Sequence, residues 1–115
     1  MQLINETKGA ILAEYLEIAD SWFARLKGLL GRKNLAEKQG LILCPCNSVH
    51  TCFMKFDIDV LFIDKGGQVI FAIENMPPFR FSTLVRQAKY VLELPAGTID
   101  LTGTRPGDQV AVIEG

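Results

Sequence analysis

The chain has 115 residues, 49% hydrophobic and 22% charged, and its 12 basic and 13 acidic side chains leave a net charge of −1. This is one domain's worth of chain, residues 1–115, with enough apolar material for one core, too short for two and far from the disordered range. The near-neutral balance and the lack of any Lys/Arg run argue against a nucleic-acid partner, whose phosphates select for basic excess.

In chain order, Leu3-Ile4-Asn5 and Ile11 to Ile18 read as strands joined by the polar turn Glu6-Thr7-Lys8-Gly9. Glu14 and Glu17 break the alternation of the second, which points to a bulge or a sheet edge. Asp20-Ser21 supplies a helix N-cap, and Trp22, Phe23, Leu26, Leu29 and Leu30 follow at the spacing of one helical face, which predicts an amphipathic helix over residues 21–30 closed by Gly31. Leu41-Ile42-Leu43 is a short strand, Cys44-Pro45-Cys46-Asn47 a turn, and Ser48 to Met54 the next predicted strand. Val60-Leu61-Phe62-Ile63 is apolar on both faces and predicts a central strand. The hairpin turn Asp64-Lys65-Gly66-Gly67 returns it into Gln68 to Glu74.

Residues 75–88, with Pro77-Pro78, Phe79, Arg80 and Phe81, form the longest aperiodic stretch, the kind of loop that docks a partner, covers a pocket, or simply folds its phenylalanines back onto the core. Lys89 to Leu94 and Gln109 to Ile113 complete the strands, with a short helical turn near Thr98 to Leu101. The expected fold is mainly β (α+β): a small twisted, partly closed antiparallel barrel of about seven short strands, its one helix covering an opening. No apolar run reaches the roughly 18 residues of a membrane span, and Met1 to Glu6 lacks the basic start and apolar centre of a signal peptide. A soluble, cytoplasmic protein is expected, unless an export signal precedes this chain.

Several blocks stand in a familiar order: Gly28-Leu29-Leu30-Gly31-Arg32, Ser48-Val49-His50-Thr51, Phe53-Met54, Ile58 to Asp64, Val91 to Gly97, and Gly107-Asp108-Gln109-Val110. In these the chain resembles domain-of-unknown-function family 192 of bacteria and archaea, from the helix to the last strand. The resemblance implies a compact β-rich domain and no particular activity; many such proteins look exported or lipid-anchored, a signal this chain does not show. The family pattern often has proline before the Ile-Asp pair where this chain has Asp57, which would set Asp57 and Asp59 on one side of an extended segment.

Three constellations carry the functional expectations. His50, Asp59 and Glu93 are ionisable groups among apolar neighbours. With Met54 and Phe79 they suggest a small-molecule or peptide pocket in a non-enzymatic binding or accessory domain. Cys44, Cys46, His50 and Cys52 offer thiolate and imidazole ligands to a transition metal such as zinc, or thiols for redox chemistry. On a strand, His50 and Cys52 would share one face about 6.6 Å apart. Buried cysteines that merely pack are the plainer alternative. His50 with Asp57 or Asp59 is the third constellation, a general acid and base for a hydrolase-like enzyme. Phosphate-cradling loops, nucleophile elbows and dinucleotide fingerprints are absent from the sequence.

Overall fold

The computed structural model describes residues 1–114; the side chains of Trp22, Phe23 and Leu26, part of the expected helical stripe, lie outside the described residues. Eight strands and two short helices follow one another as β1 (Gln2–Asn5), β2 (Ala10–Ala13), β3 (Tyr15–Ala19), α1 (Trp22–Lys27), β4 (Gln39–Leu43), β5 (Ile58–Ile63), β6 (Val69–Met76), β7 (Tyr90–Pro95), α2 (Thr98–Thr102) and β8 (Val110–Ile113). They form a three-stranded sheet, β2-β1-β8, and a five-stranded sheet, β3-β4-β7-β5-β6. The mainly β fold is as expected, but the described strands form two sheets and not a closed barrel.

Three local expectations change. The run from Ile11 to Ile18 is two strands, because the chain crosses between sheets at Glu14, where the amides of Glu14 and Tyr15 both donate to the Lys38 carbonyl at 2.8 and 3.0 Å. The segment from Ser48 to Met54 is no strand; it keeps a single antiparallel bridge, His50 to Phe81. Pairing is not antiparallel throughout: β3 runs parallel to β4, Tyr15 opposite Gln39 through Ala19 opposite Leu43. The crossover through α1, residues 20–38, is long enough for that pairing.

Helix α1 starts where the sequence puts it. Ser21 Oγ accepts from the Ala24 amide at 3.1 Å. It stops at Lys27, short of the expected Leu30, because Gly28 takes φ +48° and its amide donates back to the Ala24 carbonyl. Gly28 thus ends the helix, where a glycine is favoured, and does not weaken its interior.

The five-stranded sheet buries both faces, and strand alternation sorts its side chains. Ile42, Leu61, Ile63, Leu92 and Leu94 pack with Leu3, Leu12, Val110 and Ile99 in the layer between the sheets. Leu41, Leu43, Val60, Phe62 and Val91 point the other way and pack with Leu29, Leu35 and Met54 from the α1 crossover and the segment before β5. Each fully buried Leu, Ile, Val or Phe contributes about 1.5–3 kcal/mol. The sheets approach so closely at Gly40 that a Cβ there would stand 3.0 Å from Ala13 Cβ of the facing sheet, and 3.1 Å from Leu94 Cδ2 of its own.

Polar groups in this packing are bonded with little slack. Asp59 is fully buried and faces the inter-sheet layer. One carboxylate oxygen accepts from the Asn75 amide at 2.9 Å, and the other accepts from the Ile99 amide at 2.8 Å. The first bond holds β6 where its register against β5 shifts and Asn75 takes φ +52°; the second satisfies an amide in the first turn of α2. Asp57, exposed and outside the strand, does not join it. At the other end of the inter-sheet layer, Asp108 accepts from Asn5 Nδ2 at 2.9 Å, from Lys8 Nζ at 3.0 Å and from the Arg105 amide at 3.0 Å. Burial alone would raise the Asp108 carboxyl; these hydrogen bonds and the Lys8 charge outweigh it and hold it below the usual carboxylate range.

Asp59→Ala leaves two amides without their charge-assisted partner and is expected to lower unfolding free energy by about 3 kcal/mol in urea titrations, with Asp59→Asn losing less. For Asp108 the sign follows from its lowered folded-state pKa. Its stabilisation is present above the unfolded-state carboxylate pKa and is lost as pH falls through the lower folded value. Asp108→Asn should therefore be less stable at neutral pH and lose less on acidification than the parent, as melting curves across acidic pH will show.

Candidate functional site

The parity that builds the sheet also decides which candidate residues can meet. Glu93, on β7, pairs across the ladder with Leu41 and Val60, so its side chain lies on the face of Val91 and Met54. Asp59 pairs with Leu94 and points to the opposite face. The expected trio of His50, Asp59 and Glu93 therefore does not assemble. Asp59 is committed to two backbone amides on the opposite face of the sheet, which also separates it from His50 and removes the His50–Asp59 form of the hydrolase-like pair; Asp57 lies exposed, outside the strand.

His50 and Glu93 do come to the same cleft. It has a volume of about 240 Å³ and opens beside the C-terminal end of α1. Arg25, Lys27 and Gly28 form one side, Cys46, Ser48, Val49, His50 and Met54 the other, and Leu29, Leu30 and Leu43 add apolar wall. Glu93 is 3% exposed, and among the described residues nothing hydrogen-bonds its carboxyl. The Gly28 backbone closes over it: a Cβ on Gly28 would stand 3.8 Å from Glu93 Oε1. Burial pushes the Glu93 pKa up to about 7, against a weaker downward pull from the Arg32 charge. The ion pair that Arg32 does form is with Glu17, at 2.7 Å.

His50 is exposed at the mouth of the cleft, its ring 6.1 Å from that of Phe81. Met54 is buried in the wall. Phe79 stays outside the cleft, 60% exposed, in edge-to-face contact with Phe53 at 5.8 Å. The cysteines do not form a ligand set. Cys44 packs against the inter-sheet layer and Cys46 against the other, so the turn sends the two thiols to opposite sides. All three cysteines are free, and among the described residues no three His, Cys, Asp or Glu side chains cluster to hold a metal ion. Burial pushes the Cys46 thiol up, and its Sγ donates to the Ser48 carbonyl at 3.1 Å, which describes a packing thiol and not an activated one.

Sequence reasoning missed Arg25 and Lys27 as cleft residues. The available signal was that both fall off the apolar stripe immediately before Gly28, where a helix end turns its last side chains toward whatever lies beneath. Nothing local to β7 could have found the face of Glu93, because the Val91-Leu92-Glu93-Leu94 run is apolar on both sides of it.

Glu93 makes stability depend on pH with a definite sign. Between the ordinary carboxylate pKa of 4.5 and about 7 the folded chain keeps a proton that the unfolded chain has lost, so stability falls as pH rises through that window and levels off above it. The full span corresponds to about 3 kcal/mol. Glu93→Gln is expected to abolish this slope and to melt higher than the parent above pH 7, measured by thermal denaturation from pH 4.5 to 8.5.

Comparison with known proteins bears on the whole chain. Residues 3–112 match the family model DUF192, "Uncharacterized ACR". A UPF0127 protein of Thermococcus sibiricus is 35% identical over 113 residues, covering 94% of this chain and 72% of that one. A UPF0127 protein of Pyrococcus furiosus is 31% identical, covering 94% of this chain and 95% of its own length. Among solved structures, a Novosphingobium aromaticivorans protein of unknown function superposes with a TM-score of 0.85 at 21% identity, over 97% of this chain and 84% of that one; it shares the fold. A Sinorhizobium meliloti protein described as a candidate transcription regulator reaches a TM-score of 0.81 at 27% identity, over 96% of this chain and 89% of its own. The chain thus belongs to the DUF192 family, whose archaeal relatives carry the name UPF0127.

Proposed function

We propose that this chain is a non-enzymatic binding or accessory domain whose cleft between α1 and the segment 46–54 takes a small ligand or a peptide group. The observation that supports this reading is Glu93, a buried carboxyl that lines the cleft with no hydrogen-bond partner among the described residues. Among the described residues no sealed side-chain oxygen or nitrogen lacks a partner, so the Glu93 carboxyl reaches the open cleft, where a ligand group can bond to it. The rest of the lining suits such a ligand: apolar wall from Leu29, Leu43 and Met54 for its body, His50 at the mouth, and Arg25 and Lys27 to the side for an anionic group. A cleft of about 240 Å³ is smaller than drug-sized pockets, which favours an amino-acid-sized molecule or one side chain of a peptide.

The other readings gain less. A metal or thiol centre would need the dispersed cysteines to regroup, and a His50 hydrolase would need a carboxylate other than Asp59. The description of the Sinorhizobium meliloti relative raises a DNA-linked role, against which stands the net charge of −1.

A panel of amines, amino acids and dipeptides at millimolar concentration, followed by thermal shift and calorimetry, tests the cleft. At least one donor-bearing member is expected to stabilise the parent, to bind more tightly as pH rises through 7 if its group is cationic, and to lose tenfold or more in affinity to Glu93→Gln and a smaller factor to His50→Ala. If no member binds the parent, or if Glu93→Gln binds the same members equally well, the cleft is not a ligand site.

A further inference from the structure

Beyond the cleft, and independent of what it binds, four large apolar side chains stand in solvent on two adjoining segments. Phe53 is 75% exposed, Phe79 60%, Phe81 76% and Leu84 55%. They do not fold back onto the core, although the chain around them is firmly tied. Thr51, fully buried, accepts from the Phe79 amide through its carbonyl at 3.0 Å and donates its amide to the Arg80 carbonyl at 2.9 Å. Its Oγ1 accepts from the Arg80 amide at 2.9 Å and donates to the Pro77 carbonyl at 2.6 Å. The Ser82 amide donates to the Val49 carbonyl at 2.9 Å. These bonds fix the loop after β6 to the segment before β5, so its rings are presented and not merely loose.

Two of those rings are held out at a backbone cost. Phe53 has φ +65° and Phe79 φ +62°, left-handed conformations unfavourable for bulky side chains. Sustained strain together with sustained exposure of aromatic rings marks an interaction surface.

Charge identifies the partner's chemistry. Residues 39–56 and 75–92 contain no Asp or Glu, with Asp57 and Glu74 just beyond them, but do contain Lys55, Arg80, Arg86 and Lys89. In a chain of net charge −1, this is a local segregation of cations around protruding apolar groups. None of the rings lines the cleft beside α1, and the charged groups that accompany them on these two segments are all cations. Projecting Phe and Leu flanked by Lys and Arg is the chemistry of docking on an anionic bilayer.

We propose that the face carrying Phe53, Phe79, Phe81 and Leu84 docks on an anionic lipid surface, its rings entering the interfacial zone while Lys55, Arg80 and Arg86 meet headgroup phosphates. Co-sedimentation of the full chain with phosphatidylcholine vesicles, with and without about 30% phosphatidylserine at low salt, tests this. Binding to the anionic vesicles is expected to exceed binding to neutral ones by at least tenfold. It should fall by a similar factor in about 0.5 M salt, by about fivefold for each of Lys55→Ala and Arg86→Ala, and tenfold or more in the F53S/F79S/F81S variant. Should that triple variant fail to melt cooperatively, Phe81→Ser alone, at an unstrained and exposed position, carries the same test. No sedimentation with either vesicle, or equal binding by parent and folded serine variants, overturns the proposal. So does self-association that depends on these phenylalanines without vesicle binding, which would make the face a protein interface.

Discussion

Burial of both faces of the five-stranded sheet is the constraint from which the rest follows. A strand buried on one side can turn its polar residues to water; β5 and β7 cannot, since every residue of β5 is buried and so are Val91 to Leu94 of β7. Each acid placed there must be resolved by the structure. Asp59 is resolved by two amides, and in being resolved it sets the register of β6 and the start of α2. Glu93 is not resolved in that way. Facing the opposite layer, it meets a helix end and an apolar wall, and the physical outcome is a carboxyl that holds its proton up to near neutrality.

The same constraint explains what was legible in the sequence. Val60 to Ile63 reads as a central strand because an uninterrupted apolar run has no solvent face, and Ser21 reads as a cap because its side chain acts within three residues. The turn at Asp64 to Gly67 is equally local: Asp64 Oδ1 accepts from the Gly66 and Gln68 amides, and Gly67 takes φ +85°. The expectations that changed depended on distant partners. Whether Ile11 to Ile18 is one strand or two depends on where Lys38 lies. Ser48 to Met54 has strand-like composition, but against the loop after β6 it forms only the His50–Phe81 bridge, and the bonds of Thr51 to Pro77, Phe79 and Arg80 of that loop do not continue a ladder. Which face Glu93 occupies relative to Asp59 depends on the β5–β7 register, and no local signal encodes that.

The cysteine run shows a related limit. Residue types in Cys44, Cys46, His50 and Cys52 fit a soft-metal site, and their closeness in sequence invites it. Ligation needs convergence in space, however, and the turn after β4 divides the first two thiols between the layers. Composition names the chemistry a segment is able to do; the packing of the adjoining strand decides whether its groups ever meet.

Glu93 and the exposed phenylalanines pose one energetic question in two forms. An apolar residue at position 93 would fit between Leu41 and Val60 without the pH-dependent loss, and Phe53 and Phe79 turned inward would gain about 1.5–3 kcal/mol each in place of left-handed strain. Both features lower stability where the fold has no architectural need for them: α1 is closed by Gly28 without help from Glu93, and Thr51 ties the loop after β6 through backbone groups and its own hydroxyl, without help from the Phe79 ring. His50 connects the two, lining the cleft on one side and meeting the Phe81 ring on the other. Folds tend to carry such costs where a site is kept. The contiguity through His50 gives the cleft and the aromatic face one shared border, so a group docked against Phe81 would lie across the cleft mouth.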